Sequence, residues 1–153
     1  MQKGAKMLYD KSNTGTPANI HPASPTTILD ALSRVKGKKF VIVEKDLQLA
    51  QAMSEWLNIM GCQVESFLNT EEALMYANIQ YADYYIVDRA PGARVSGNQL
   101  LNLLKLKRGK PISAVLISSD EPNAGSGPEW PQHFPPISMP ELILSLVSQT
   151  PDD

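Results

Sequence analysis

From Lys38 onward the apolar positions switch repeatedly between two patterns. Phe40-Val41-Ile42-Val43 is a continuous apolar run, as expected of a strand covered on both faces. Leu49, Met53, Trp56, Leu57 and Met60 then form one stripe at helical spacing, closed by Gly61. Cys62 to Leu68 reads as a weaker strand. Asn69-Thr70-Glu71-Glu72 offers an N-cap with acids in the first turn, leading a helix through Ala73, Leu74 and Ala77. Tyr84-Tyr85-Ile86-Val87 is a third strand, stopped by Asp88-Arg89-Ala90-Pro91-Gly92. Leu100, Leu101, Leu103 and Leu104 carry a helix from about Asn98 to Leu106. Ala114-Val115-Leu116-Ile117 is a fourth strand, ending in Ser118-Ser119-Asp120. A last helix is predicted over Glu141 to Val147, where Leu142, Ile143, Leu146 and Val147 recur at helical spacing.

The rhythm fails in two places. Met1 to Thr27 mixes Lys, Ser, Asn, Thr, Gly and Pro without a period, so residues 1–27 read as a disordered tail or linker. Residues 28–37 follow as a short connecting helix, with Ile28, Leu29, Leu32 and Val35 on one face and Gly37 as its C-terminal cap. The second failure is proline. Seven of the twelve prolines lie between Pro111 and Pro140, so no regular helix can run through Glu121 to Pro136. Residues 38–150 therefore hold five strand slots and four helices in alternation. That pattern predicts an α/β domain with an open, parallel, five-stranded sheet and helices on both faces, its fourth helix degenerate or missing. The carboxyl ends of the strands should form the functional edge.

Composition narrows the partners. The chain has 153 residues, 42% hydrophobic and 20% charged, which suits one domain. Its net charge of −2 disfavours a protein that grips phosphate backbones, and no apolar run is long enough to insert in a membrane. The single Cys62 excludes an internal disulfide and a cysteine-rich zinc site, and His21 and His133 have no partners at metal-ligand spacing. The expected compartment is cytoplasmic.

The chemistry-bearing residues fall at strand ends. Glu44 directly follows the first strand, Asp88 the third and Ser118 the fourth, a set of hard-oxygen groups suited to Mg²⁺ and phosphate. Acids after strands also start turns and cap helices, so each alone says little.

The ordered set from Lys38 to Gln149 resembles the receiver domain of bacterial two-component signalling. It comprises Lys36-Gly37-Lys38-Lys39 before Phe40-Val41-Ile42-Val43-Glu44, Gly61 before strand two, Asp88 after strand three, Gly97 with Leu100-Leu101, Ser118, and Pro136 before the last helix. The resemblance implies a receiver (flavodoxin-like) fold. It also implies a site in which an acid pair after strand one and an aspartate after strand three hold Mg²⁺, and that aspartate accepts a phosphoryl group. A hydroxyl after strand four and a lysine before a proline bind the phosphoryl oxygens.

Position by position, only part of that set is kept. Glu44 falls on the first acid, Asp88 on the phosphoacceptor and Ser118 on the hydroxyl. Lys45 replaces the second acid, and Pro135, in Phe134-Pro135-Pro136, stands where the lysine belongs. Proline has no donor for a phosphoryl oxygen, and a cation among the metal ligands repels Mg²⁺. Asp46 replaces the lost acid only if the strand frame slips by one. The resemblance is thus to a degenerate (pseudo-)receiver with a vestigial site at Asp88, Glu44, Ser118, Lys45 and Pro135. No catalytic residue, metal or cofactor is expected.

The implied function is a phosphorylation-independent regulatory module of a bacterial signalling protein, such as a hybrid histidine kinase. Rivals are the atypical receiver at the front of pilus-localising ATPases, weak phosphoacceptor chemistry through Asp88, and an anionic ligand held by Arg89, Arg94 and Lys45. The expected partner is another domain of the same protein, a signalling protein or a second copy. Trp130 stands in the proline-rich stretch and reads equally as a lid or a binding anchor; with Phe134 it marks the expected interaction surface.

Overall fold

The computed structural model describes residues 25–76, 78–90, 94–118 and 130–149. Five strands, β1 (Lys39–Val43), β2 (Gln63–Phe67), β3 (Tyr84–Asp88), β4 (Ser113–Ile117) and β5 (Gln132–His133), pair in the order β2-β1-β3-β4-β5. Every pairing is parallel. The helices are α1 (Pro25–Val35), α2 (Leu47–Ile59), α3 (Thr70–Leu74), α4 (Gly97–Arg108) and α5 (Met139–Val147). The fold class read from the sequence is the one observed.

Strand periodicity divides the core in two. Phe40, Ile42, Tyr84, Ile86, Val115 and Ile117 point to one face, where they pack with α1, α2 and α5. Val41, Val43, Tyr85, Val87, Ala114 and Leu116 point to the other, where α4, Ala73 and Ile79 cover them. Both faces are covered, which is why these three strands read as continuous apolar runs. The edge strand β2 is largely exposed and correspondingly weak in sequence.

Two helices differ from expectation. Helix α1 begins at Pro25, three residues into the expected tail, because proline is suited to a first helical turn. It is also more than a connection: it packs on α5, and Ala31 and Val35 are buried in the core. The helix read as a connection is thus packed against the domain that begins at residue 38. Gly37, at φ +79°, makes the turn into β1, and its N–H donates to Gly61 O at 2.9 Å. Helix α3 is shorter than predicted, ending at Leu74, and a 3₁₀ turn follows at Ile79–Tyr81.

The expected loss of the fourth helix concerns residues 119–129, which lie outside the described residues; 130–138 contain no helix. The sheet face beyond α4 is covered by Trp130. This side chain is only 7% exposed and joins the cluster of Leu100, Leu101, Leu104, Ala114 and Leu116. The Leu116 N–H donates to Pro131 O at 2.8 Å, fixing the chain beside β4. Lys105 Nζ lies 5.9 Å from the indole centroid. Of the two readings of Trp130, the geometry is that of a lid inside its own chain. Burying the indole against the apolar face of β4 removes it from solvent. Phe134 is half-buried.

Candidate functional site

The parallel register sets Val43 opposite Val87, so the next residues, Glu44 and Asp88, emerge side by side at the carboxyl edge. Asp88 pairs in turn with Ile117, which places Ser118 at the same edge. Glu44, Asp88 and Ser118 are exposed by only 4%, 4% and 2%. The sequence-predicted trio is thus brought together, but under cover.

Each carboxyl group has one satisfied and one orphaned oxygen. Asp46 N–H donates to Glu44 Oε2 at 3.0 Å, and Ala90 N–H donates to Asp88 Oδ1 at 3.0 Å. Glu44 Oε1 and Asp88 Oδ2 are buried with no donor among the described residues. Burial, above all, pushes the Glu44 carboxyl up to about 7; neighbouring Asp88 adds to the rise, and the Asp46 N–H opposes it.

Lys45 and Asp46 complete the loop. Lys45 Nζ donates to Ala90 O at 2.7 Å and stands 4.0 Å from Asp88 Oδ2. The lysine that replaces the second acid therefore clamps the loop after β3 and sits over the expected phosphoacceptor. Asp46 is the N-cap of α2, its Oδ1 accepting from the N–H groups of Gln48 and Leu49 at 3.0 and 3.2 Å. The frame slip that would make Asp46 the missing acid does not occur, because its carboxylate is held at the helix start. Pro135 is exposed, and its peptide bond to Pro136 is cis.

Two contributors went unread in the sequence: the Ala90 carbonyl, which gives no side-chain signal, and Gly97 as a spacer. A Cβ on Gly97 would collide with Asp88 O and lie 3.0 Å from Leu116 Cδ2. Only glycine lets α4 start this close to the end of β3, and its N–H donates to Arg89 O at 3.0 Å. Gly97→Ala should cost about 1–3 kcal/mol by overpacking, read as a lower urea midpoint with unchanged slope.

The residues do not fit Mg²⁺. Among the described residues no three carboxylate, histidine or cysteine groups converge. Two carboxyls with an ammonium 4.0 Å from one of them leave octahedral oxygen coordination short of ligands and repelled.

No family model and no curated protein matches the sequence. Solved structures do match the fold. The receiver domain of the Francisella response regulator 1452 superposes with a TM-score of 0.60 at 19% identity, over 73% of this chain and 95% of that one. A CheY-like receiver domain from Methylobacillus flagellatus gives 0.60 at 19% identity, over 74% and 98%. The response regulator PhyR from Brucella abortus gives 0.64 at 19% identity, over 82% of this chain and 52% of that one. The chain has the fold of a response-regulator receiver domain.

Proposed function

We propose that this chain is a phosphorylation-independent regulatory module that works by protein–protein contact within a signalling protein. The observation that carries the reading is Lys45. In the receiver fold its position belongs to an acid, and here its ammonium sits 4.0 Å from Asp88 Oδ2 and ties down the Ala90 carbonyl. Phosphoryl transfer depends on positioning and charge stabilisation. Without a fitting metal site, without the lysine that Pro135 replaces, and with Asp88 only 4% exposed, little of that apparatus is left. What remains is a rigid receiver scaffold, and regulation by such a scaffold runs through its surfaces. The partner is another domain of the parent protein, a signalling protein or a second copy of the chain. Among the described residues no helix is long and apolar enough to cross a membrane.

Incubation with acetyl phosphate and Mg²⁺ should leave the intact mass unchanged. Asp88→Asn should leave the regulatory output of the parent protein unchanged as well. A phosphoryl adduct abolished by Asp88→Ala would overturn the proposal in favour of weak phosphoacceptor chemistry.

A further inference from the structure

The cations of this chain are unevenly placed. Residues 89–119 contain six lysines and arginines and no carboxylate, whereas the rest of the chain carries eight cations and sixteen carboxylates. Four of the six, Lys105, Lys107, Arg108 and Lys110, gather where α4 ends. The helix dipole accounts for the three in the last turn, and Arg108 is engaged internally, donating to Ala82 O at 2.6 Å. Lys110 stands beyond the cap at Gly109, and the dipole gives no reason for the apolar surface beside it.

That surface is a groove. Asn102, Lys105, Leu106 and Gly109 form one flank of α4 and, with Lys110 and Pro111, line an open volume of about 480 Å³. Leu106 is 79% exposed in its wall, and the lysine stems add apolar area below their ammonium groups. The opposite side of α4, with Leu100, Leu101 and Leu104, is buried, and the helix packs chiefly on the 3₁₀ turn and on β4. Positions 102, 105, 106 and 109 repeat at the spacing by which one helix receives the side chains of another.

We propose that this groove seats an acidic amphipathic helix from outside this chain, with an apolar side chain beside Leu106 and carboxylates over Lys105 and Lys110. It gives the proposed regulatory module its contact surface, and so rests on that reading. Charge selects the occupant. A second copy has no such helix to offer among the described residues: α1, α2 and α5 carry one acid each, α4 none, and α3, with two, is five residues long. Nucleic acid is disfavoured because the groove has no aromatic side chain on which a base could stack.

The test uses the full chain and a fluorescein-labelled helical peptide of about 15 residues, with leucines along one face and glutamates on the other. Its anisotropy should rise saturably, and the amides of Asn102, Leu106, Gly109 and Lys110 should shift with the same midpoint. Leu106→Gln and Lys110→Glu, both at exposed positions, should each weaken binding by about tenfold. Lys107→Glu, turned about 100° from Leu106 and outside the groove, should weaken it by no more than about threefold. A peptide with lysines for the glutamates should not bind. Absence of saturable shifts at the groove, or an equal loss from Lys107→Glu, would overturn the site. So would a single-stranded oligonucleotide that shifts the same amides at lower concentration than the peptide, or a dimer in light scattering that Leu106→Gln dissociates. No peptide binding with the mass unchanged after acetyl phosphate removes this site alone. A phosphoryl adduct on Asp88 removes the proposed function, whatever the peptide does.

Discussion

Trp130→Ala should lower the unfolding free energy by about 3–5 kcal/mol, the range for emptying a buried aromatic site. The indole is 93% out of water and packs between α4 and the Ala114–Leu116 side of β4. The indole shares that cluster with Leu100, Leu101, Leu104, Ala114 and Leu116, so the cavity would open among them, against β4. Trp130→Phe should cost far less. It keeps most of the apolar contact and deletes an indole N–H that is buried without an acceptor among the described residues. Urea melts of the three proteins decide the matter. An alanine variant as stable as the parent would mean that the indole does not hold the sheet face. A loss of partner binding at unchanged stability would restore the anchor reading.

Glu44→Gln should raise stability at pH 8 by up to about 3 kcal/mol and change little at pH 5. The folded chain holds Glu44's proton up to about pH 7, whereas an ordinary glutamate releases it at 4.5. Folded and unfolded states therefore differ in bound protons between those values, with the folded state binding more. Stability is intact below about 4.5, falls as pH rises through the window, and has lost its full increment above about 7. Glutamine keeps the donor without the charge, so the variant's stability should be flat where that of the parent declines. Denaturant midpoints at several pH values read this directly. Parallel curves for the two proteins would show that Glu44 is an ordinary carboxylate.

The parts of this molecule that read clearly in sequence are those governed by burial. Phe40–Val43, Tyr84–Val87 and Ala114–Ile117 are apolar without interruption because helices cover both sheet faces. Where those runs stop, the polar residue that follows must sit at the sheet's edge, so Glu44, Asp88 and Ser118 were legible as a group. Strand β5 was not. Gln132–His133 carries no apolar signal, and its strand character comes from the bonds that β4 makes with its backbone. The direction of α1 was equally hidden: its apolar stripe shows that it packs, but only the tertiary fold shows that it packs on α5. In the site, residue identities revealed what is missing. They did not reveal that Lys45 turns back over Asp88, or that Asp46 is committed to a helix cap, since both depend on the path of one short loop.

The seating of α1 on α5 sets an order of assembly. The two helices are separated by more than one hundred residues of sequence, the longest-range pairing of elements in the fold. A chain growing from a ribosome makes α1 before the other described elements and must leave its buried residues, Ala31 and Val35, without their full surroundings until α5 has emerged. Closing so long a loop is also the entropically dearest contact to make early, so the central strands and their adjacent helices have reason to form before it. Helix α1 is then a latch, made before the sheet it joins and the last of these elements to settle.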